Sequence, residues 1–298
     1  MQIGIDLGGT KTEAIALATD SVVTARRRVP TPREYDGTLD ALVRLVGELE
    51  SETGRSGTVG VGIPGVVTRG TGLVKNANST WLNGRPLQAD LESRLARPVR
   101  VANDANCFAL SEASDGAGRG HDTVFGVILG TGVGGGIAIG RRIHDGPNQI
   151  AGEWGHNPLP WMTDEERAFA QECYCGKTGC IETFLSGPGF ERDYVRRSGP
   201  SRSSRDIVRA AAGGDADAIE ALRRYKDRLA RALAGVINIL DPDIVVLGGG
   251  MSNLPELAPS VSTLLPRHVF SDTVQTVVAP NLHGDSSGVR GAAWLWPL

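Results

Sequence analysis

Apolar and polar positions alternate over the first thirty residues in the period of extended chain, and predict strands at 2–5, 13–17 and 22–29. A Gly-Gly turn joins the first two. Residues 38–50 change period: Leu39, Leu42, Val43, Val46 and Leu49 form the apolar stripe of an amphipathic helix. Strands are expected at 59–63, closed by Pro64-Gly65, and at 99–102; helices are expected at 87–95 and 105–114. A strand at 124–129 then runs into Gly130-Thr131-Gly132-Val133-Gly134-Gly135-Gly136 and returns at 137–139. Residues 151–189 follow no clear period. Beyond them the pattern predicts helices at 204–211 and 215–240, the second stopped by Asp241-Pro242. A β-branched strand at 244–247 enters Gly248-Gly249-Gly250, and a helix at 254–265, a strand at 276–279 and a helix at 287–296 complete the chain.

Strands alternating with helices indicate an α/β architecture. The unit of buried strand, glycine turn and returning strand occurs at the start and again about 125 residues later. That echo predicts two related half-folds facing a shared cleft. We expect a smaller domain of residues 1–118 with the C-terminal helix 287–298, and a larger domain of residues 119–286.

Composition narrows the function classes. The 298 residues, 40% hydrophobic and 22% charged, are those of a globular protein long enough for two domains. A formal net charge of -3 and the lack of any basic block beyond Arg26-Arg27-Arg28 argue against nucleic acid or an anionic membrane as partner. The arginine triplet is expected to be a solvated strand end. No apolar run reaches the length of a membrane span, and the opening Met1-Gln2-Ile3-Gly4-Ile5-Asp6 does not read as a leader, so a cytoplasmic location is expected. Four cysteines in a chain of this length do not make a disulfide framework.

Candidate chemistry lies at strand ends. In Asp6-Leu7-Gly8-Gly9-Thr10-Lys11 a glycine turn follows a strand, so that backbone N–H groups and the Thr10 hydroxyl can meet phosphate oxygens. Asp6 can hold a metal ion through water. The segment is not a P-loop, because Thr10 stands where the lysine belongs. Gly130–Gly135 matches G-x-G-x-x-G, yet a dinucleotide site needs a helix next, and Ile137-Ala138-Ile139 is strand-like. A second phosphate-holding turn, with Thr131 and Gly132, fits better, and Gly249-Gly250 supplies a third. Asp104 lies between a strand and a helix. It can accept a proton from a hydroxyl attacking phosphorus, although on these residues alone a helix N-cap is the stronger reading. His156, Cys173, Cys175 and Cys180 provide three thiolates and one imidazole, a closed tetrahedral set for structural zinc, in a Cys-x-Cys-x4-Cys spacing tighter than the usual finger. Such a metal would order an irregular segment and aim Glu153 and Glu182 at sugar hydroxyls. Cys107, alone in a helix, is expected in the core.

Taken in order, Asp6–Lys11, Gly62–Gly65, Asn103–Asn106, Gly130–Gly132, Gly152–His156, Cys173–Glu182 and Gly248–Gly250 resemble the ROK family of sugar kinases over nearly the whole chain. The resemblance implies a two-domain actin/hexokinase-like (ribonuclease H-like) fold with an interdomain cleft. It implies Asp104 as catalytic base, with Gly65, Asn78, Asn103, Glu153, His156 and Glu182 binding sugar. Mg2+ and ATP would be held by Asp6, Gly8, Gly9, Thr10, Lys11, Thr131, Gly132, Gly249 and Gly250, and zinc by His156, Cys173, Cys175 and Cys180. It also suggests a homodimer and phosphorylation at position 6 of the sugar. Within the family, the stretches 75–84 and 156–161 resemble bacterial fructokinases of the manno(fructo)kinase type, so fructose is the expected substrate. N-acetylglucosamine kinases are similar in His283-Gly284-Asp285 and Arg290-Gly291-Ala292-Ala293; these, glucokinase and mannokinase are the alternatives. A sugar-responsive repressor is the non-enzymatic alternative, set against by a strand expected from residue 2 with no helix-turn-helix ahead of it. Trp154 departs from the family pattern, which favours a smaller aliphatic residue there.

Overall fold

In the computed structural model, which describes residues 1–198, 200–254 and 256–296, the chain divides into two compact units. One comprises residues 1–120, 136–150 and 282 onward; the other comprises residues 121–135 and 151–281. Pro255, within the helix expected at 254–265, and Pro297 and Leu298, at the end of the expected terminal segment, lie outside the described residues.

The chain begins β1 (Gln2–Leu7), β2 (Lys11–Leu17), β3 (Val23–Pro30), α1 (Tyr35–Thr53), β4 (Thr58–Ile63), β5 (Val66–Val67) and β6 (Val74–Lys75). It continues α2 (Leu87–Leu95), β7 (Val99–Asn103), α3 (Asp104–Asp115), β8 (Thr123–Leu129), β9 (Val133–Ile139) and β10 (Arg142–Ile143). Then come α4 (Asp164–Ala168), α5 (Ile181–Leu185), α6 (Gly187–Ser198), α7 (Ser204–Ala212) and α8 (Ala216–Leu240). The last elements are β11 (Ile244–Gly248), α9 (Leu257–Leu264), β12 (Val277–Pro280) and α10 (Ser287–Ala293).

The first sheet has the order β3-β2-β1-β4-β7. β1 and β2 form an antiparallel hairpin, and β1, β4 and β7 run parallel. Parallel neighbours need a crossover, which α1 provides between β3 and β4. Its buried face of Leu39, Leu42, Leu45, Val46 and Leu49 packs with Ile3, Ile5, Val59 and Val61 of the sheet. The other face receives α10. A Cβ on Gly4 would overlap the Val289 carbonyl, one on Gly60 the Ala292 carbonyl, and one on Gly291 the Cys107 carbonyl. Only glycine lets these backbones approach so closely, and this approach draws the chain's end into the first unit.

The second sheet has the order β10-β9-β8-β11-β12. Counted by appearance, each sheet places its strands third, second, first, fourth, fifth. The repeated motif in the sequence therefore reflects a repeated topology.

Two expectations change. The arginine triplet is more than a solvated strand end: Glu13, 4% exposed, faces Arg28 across β2 and β3 and forms ion pairs with Arg28 and Arg26. Burying that carboxylate requires cations beside it. The irregular middle contains the short helices α4 and α5, and its end opens α6, whose Gly-Pro-Gly start hides a helix that buries Phe190 and Tyr194, one turn apart.

Candidate active site

In the first unit, the turn between β1 and β2 is held from below by one threonine. Gly8 N–H donates to the Lys11 carbonyl at 3.1 Å, Thr31 N–H donates to the Thr10 carbonyl at 3.0 Å, and Thr31 Oγ1 donates to the Gly8 carbonyl at 2.8 Å. Asp6, half-buried at the end of β1, has its carboxyl pushed up to about 7, first by burial and then by the charges of Asp104 and Glu13, against the pull of Lys11 and Arg28. Crowded carboxylates of this kind are relieved by a divalent cation.

Three of the expected sugar-binding residues meet at one corner. Asn78 N–H donates to the Pro64 carbonyl at 3.1 Å, and Asn103 Nδ2 donates to the Gly65 carbonyl at 3.3 Å. A Cβ on Gly65 would press on the Lys75 carbonyl and Ala77, so the loop closes only with glycine there. Asn103 Oδ1 accepts from Ala105 N–H at 2.9 Å and from Asn106 N–H at 3.3 Å. The N-cap of α3 is thus Asn103, and the cap reading of Asp104 gives way to a first helical residue whose Oδ1 accepts from Ala105 N–H. Cys107, on the same helix, is fully buried, as expected of a core residue.

In the second unit the glycine turns converge. Gly130 N–H donates to the Gly132 carbonyl at 2.9 Å, and Gly187 N–H at the start of α6 donates to the Gly130 carbonyl at 2.8 Å. Gly249, with φ +82°, leaves no room for a Cβ against Leu129. The turns bearing Thr131 and Gly132 and Gly249 and Gly250 therefore lie beside each other. Trp154 is buried, stands edge-on to Phe125 and donates from Nε1 to the Gly134 carbonyl at 2.9 Å. The indole thus braces the strand that carries the turn. Glu182 reaches the same strand, its Oε2 accepting from Val133 N–H at 2.9 Å.

The four expected metal ligands come together, their donor atoms all within 4.8 Å of one another. Cys175 Sγ lies 3.6 Å from Cys180 Sγ, and Cys173 Sγ lies 3.6 Å from His156 Nδ1. Those separations suit a tetrahedron with bonds of about 2.0–2.3 Å. The short Cys-x-Cys-x4-Cys spacing works because Gly176 and Gly179 take left-handed conformations, at φ +82° and +78°. The segment is stitched by Cys173 N–H to the Lys177 carbonyl and Ile181 N–H to the Asn157 carbonyl. His156 Nε2 faces away from the sulfurs and meets the Tyr174 hydroxyl at 2.9 Å. Exposed Glu153 opens the 3-10 turn Trp154–His156 that carries this imidazole.

The ROK family profile matches residues 2–298. The chain belongs to the ROK family. It is 42% identical over 302 residues to the N-acetyl-D-glucosamine kinase of Pectobacterium atrosepticum, with 99% of this chain and 98% of that protein covered. It is 42% identical to the Escherichia coli N-acetyl-D-glucosamine kinase, with 99% of each covered. Among solved structures, the ROK hexokinase of Thermus thermophilus superposes with a TM-score of 0.87 at 29% identity, covering 99% of this chain and 97% of that one. The two-domain α/β fold of the actin/hexokinase class is therefore the fold of this ROK chain.

The fructokinase assignment is overturned. The family expectation holds, but its relatives at 40–42% identity over nearly their full length are N-acetyl-D-glucosamine kinases. Many of the residues behind the fructokinase resemblance are framework. Asn83 clamps Ala77 through both its amide atoms, Trp81 Nε1 donates to Thr38 Oγ1, and the carbonyls of Pro160 and Trp161 accept from Arg231. The tail shared with N-acetylglucosamine kinases is framework too, since His283 and Arg290 both bind Asp115. Sequence reasoning missed Tyr174, whose only signal was its place between two ligand cysteines, and Glu13, hidden by its ordinary position in a strand.

Proposed function

We propose that this ROK protein is an ATP-dependent N-acetyl-D-glucosamine kinase. The observation that carries the reading is 40–42% identity, end to end, to N-acetyl-D-glucosamine kinases. The side chains described above suit the chemistry. Asp104 is the general base: it takes the proton as the sugar hydroxyl attacks the γ-phosphorus of ATP, the bond to the β-phosphate oxygen breaks, and ADP leaves. Asn103, Asn78 and Gly65 form a rigid corner for the sugar, and Glu153, His156 and Glu182 present acceptors and an imidazole. Asp6 is the carboxylate for Mg2+, and the glycine turns offer backbone donors to phosphate. Phosphoryl transfer needs mainly positioning and charge stabilisation, which these groups supply.

The Cys3His cluster suits Zn2+ held by His156, Cys173, Cys175 and Cys180, a closed set that leaves no place for reactive water. Zinc there would fix the loop, with His156 Nε2 directed outward.

ADP release from Mg-ATP with N-acetylglucosamine, glucose, mannose and fructose, each offered at the same low concentration, tests the reading. N-acetylglucosamine should be preferred. Preference for glucose or mannose would overturn the substrate and leave the kinase; stimulation by none of the four, in folded protein, would overturn the kinase.

A further inference from the structure

Glu182 sits where two features meet. It follows Cys180 by two residues on α5, and its Oε1 lies 3.9 Å from Cys173 Sγ. Its other oxygen, Oε2, accepts from Val133 N–H, the first residue beyond the Gly130–Gly132 turn. A Cβ on Gly132 would lie 2.6 Å from the same oxygen. The glycine therefore admits the carboxylate to the turn. A charged acceptor on a backbone N–H is among the stronger hydrogen bonds a side chain can make.

The flanking tethers show why this bond matters. On one side the turn is fixed by Gly187 N–H on the Gly130 carbonyl, and on the other by Trp154 Nε1 on the Gly134 carbonyl. Glu182 supplies the middle tether. It is also the tether whose other end is built into the cysteine cluster.

We propose that Glu182 is a positioning residue for the phosphate-holding turn, linking the metal-binding knuckle to Val133 and so setting nucleotide affinity in the absence of sugar. The proposal rests on the kinase reading, in which the Gly130–Gly132 turn faces nucleotide. A carboxylate that served sugar alone would leave nucleotide binding untouched. A carboxylate near phosphate also repels it, so removal has two opposed effects, and a glutamine separates them by keeping the acceptor while losing the charge.

The experiment pairs two readouts on wild-type, Glu182→Ala and Glu182→Gln proteins: hydrogen exchange at the Val133 amide, and calorimetric affinity for Mg-ADP without sugar. Glu182→Ala should speed Val133 exchange and weaken Mg-ADP about tenfold, the effect of losing one charged hydrogen bond. Glu182→Gln should stay within about threefold of wild type in both. Unchanged Val133 exchange in Glu182→Ala, unchanged Mg-ADP affinity in it, or a loss in Glu182→Gln as large as in Glu182→Ala would each overturn the tether. If wild-type protein bound no Mg-ADP, the kinase reading would fall and this proposal with it. Wild-type binding with an indifferent Glu182→Ala would overturn the tether alone.

Discussion

At Asn103 one amide does two structural jobs, accepting from the first N–H groups of α3 and donating to the Gly65 carbonyl. The helix start is thereby secured one residue before Asp104. Replacing Asp104 by asparagine keeps an oxygen for the Ala105 N–H and removes the basic carboxylate. Asp104→Asn should therefore fold and bind sugar with turnover down about 100-fold or more, the usual worth of a positioned general base. Near-normal steady-state turnover in that variant would remove Asp104 from the role. Trp154 illustrates a different lesson of this scale. Its indole is spent on Phe125 and the Gly134 carbonyl, so a large aromatic residue next to the glycine turn works as a brace.

At the scale of the element, α4 shows what charge can hold. Thr163 and Glu166 form a capping box, and Glu166 Oε1 also accepts from Arg228 Nε and Arg231 Nη2, each at 2.7 Å. Both arginines are buried on α8, and Arg231 holds the Pro160 and Trp161 carbonyls as well. This cluster latches residues 160–168 onto the longest helix. Burial opposes ionisation of Glu166, but hydrogen bonds from Arg231 and Arg228 prevail and bring its carboxyl down to about 2. A depressed carboxyl stabilises the fold above its ordinary value of 4.5 and loses that contribution as pH falls toward 2. Thermal unfolding should thus show stability dropping between about pH 5 and pH 2 in wild type, and less steeply in Glu166→Gln. At pH 7 the same variant should be less stable by about 1.5 kcal/mol, because two buried guanidinium groups lose a charged hydrogen bond while Arg228 keeps Asp193 and Arg231 keeps Asp227. An equal slope in both proteins would detach the acid sensitivity from this latch.

At the scale of the molecule, each sheet repeats one strand order, and α10 is tied to the opening strands within the first unit. Gly4 and Gly60 allow α10 to lie on the sheet, where Val289, Ala293 and Trp294 pack with Ile15, Leu17 and Leu110. Enlarging Gly60 to valine should destabilise the first unit by about 3 kcal/mol or more, since backbone stands in the way. Chemical denaturation checks this, and a change below about 1 kcal/mol would mean that α10 can shift to make room.

Much of this was readable in advance. Strand and helix periods are local, so β1 to β3, α1 and the helix before Asp241 stood close to their predicted bounds. The clustering of His156, Cys173, Cys175 and Cys180 was legible because thiolates and imidazole so spaced have few other uses. Tertiary structure alone decided the rest. It made Asn103 the cap, turned Arg26 and Arg28 into partners of a buried carboxylate, revealed α6 behind a Gly-Pro-Gly start and sent Glu182 to Val133. Each of these depends on which backbone groups approach from elsewhere in the chain, and a one-dimensional pattern records a residue's own preference without recording who arrives beside it. The fructokinase expectation, by contrast, was overturned by 40–42% identity to N-acetyl-D-glucosamine kinases. Within the stretches that resembled a fructokinase, Trp81, Asn83, Pro160 and Trp161 are spent holding neighbouring groups in place.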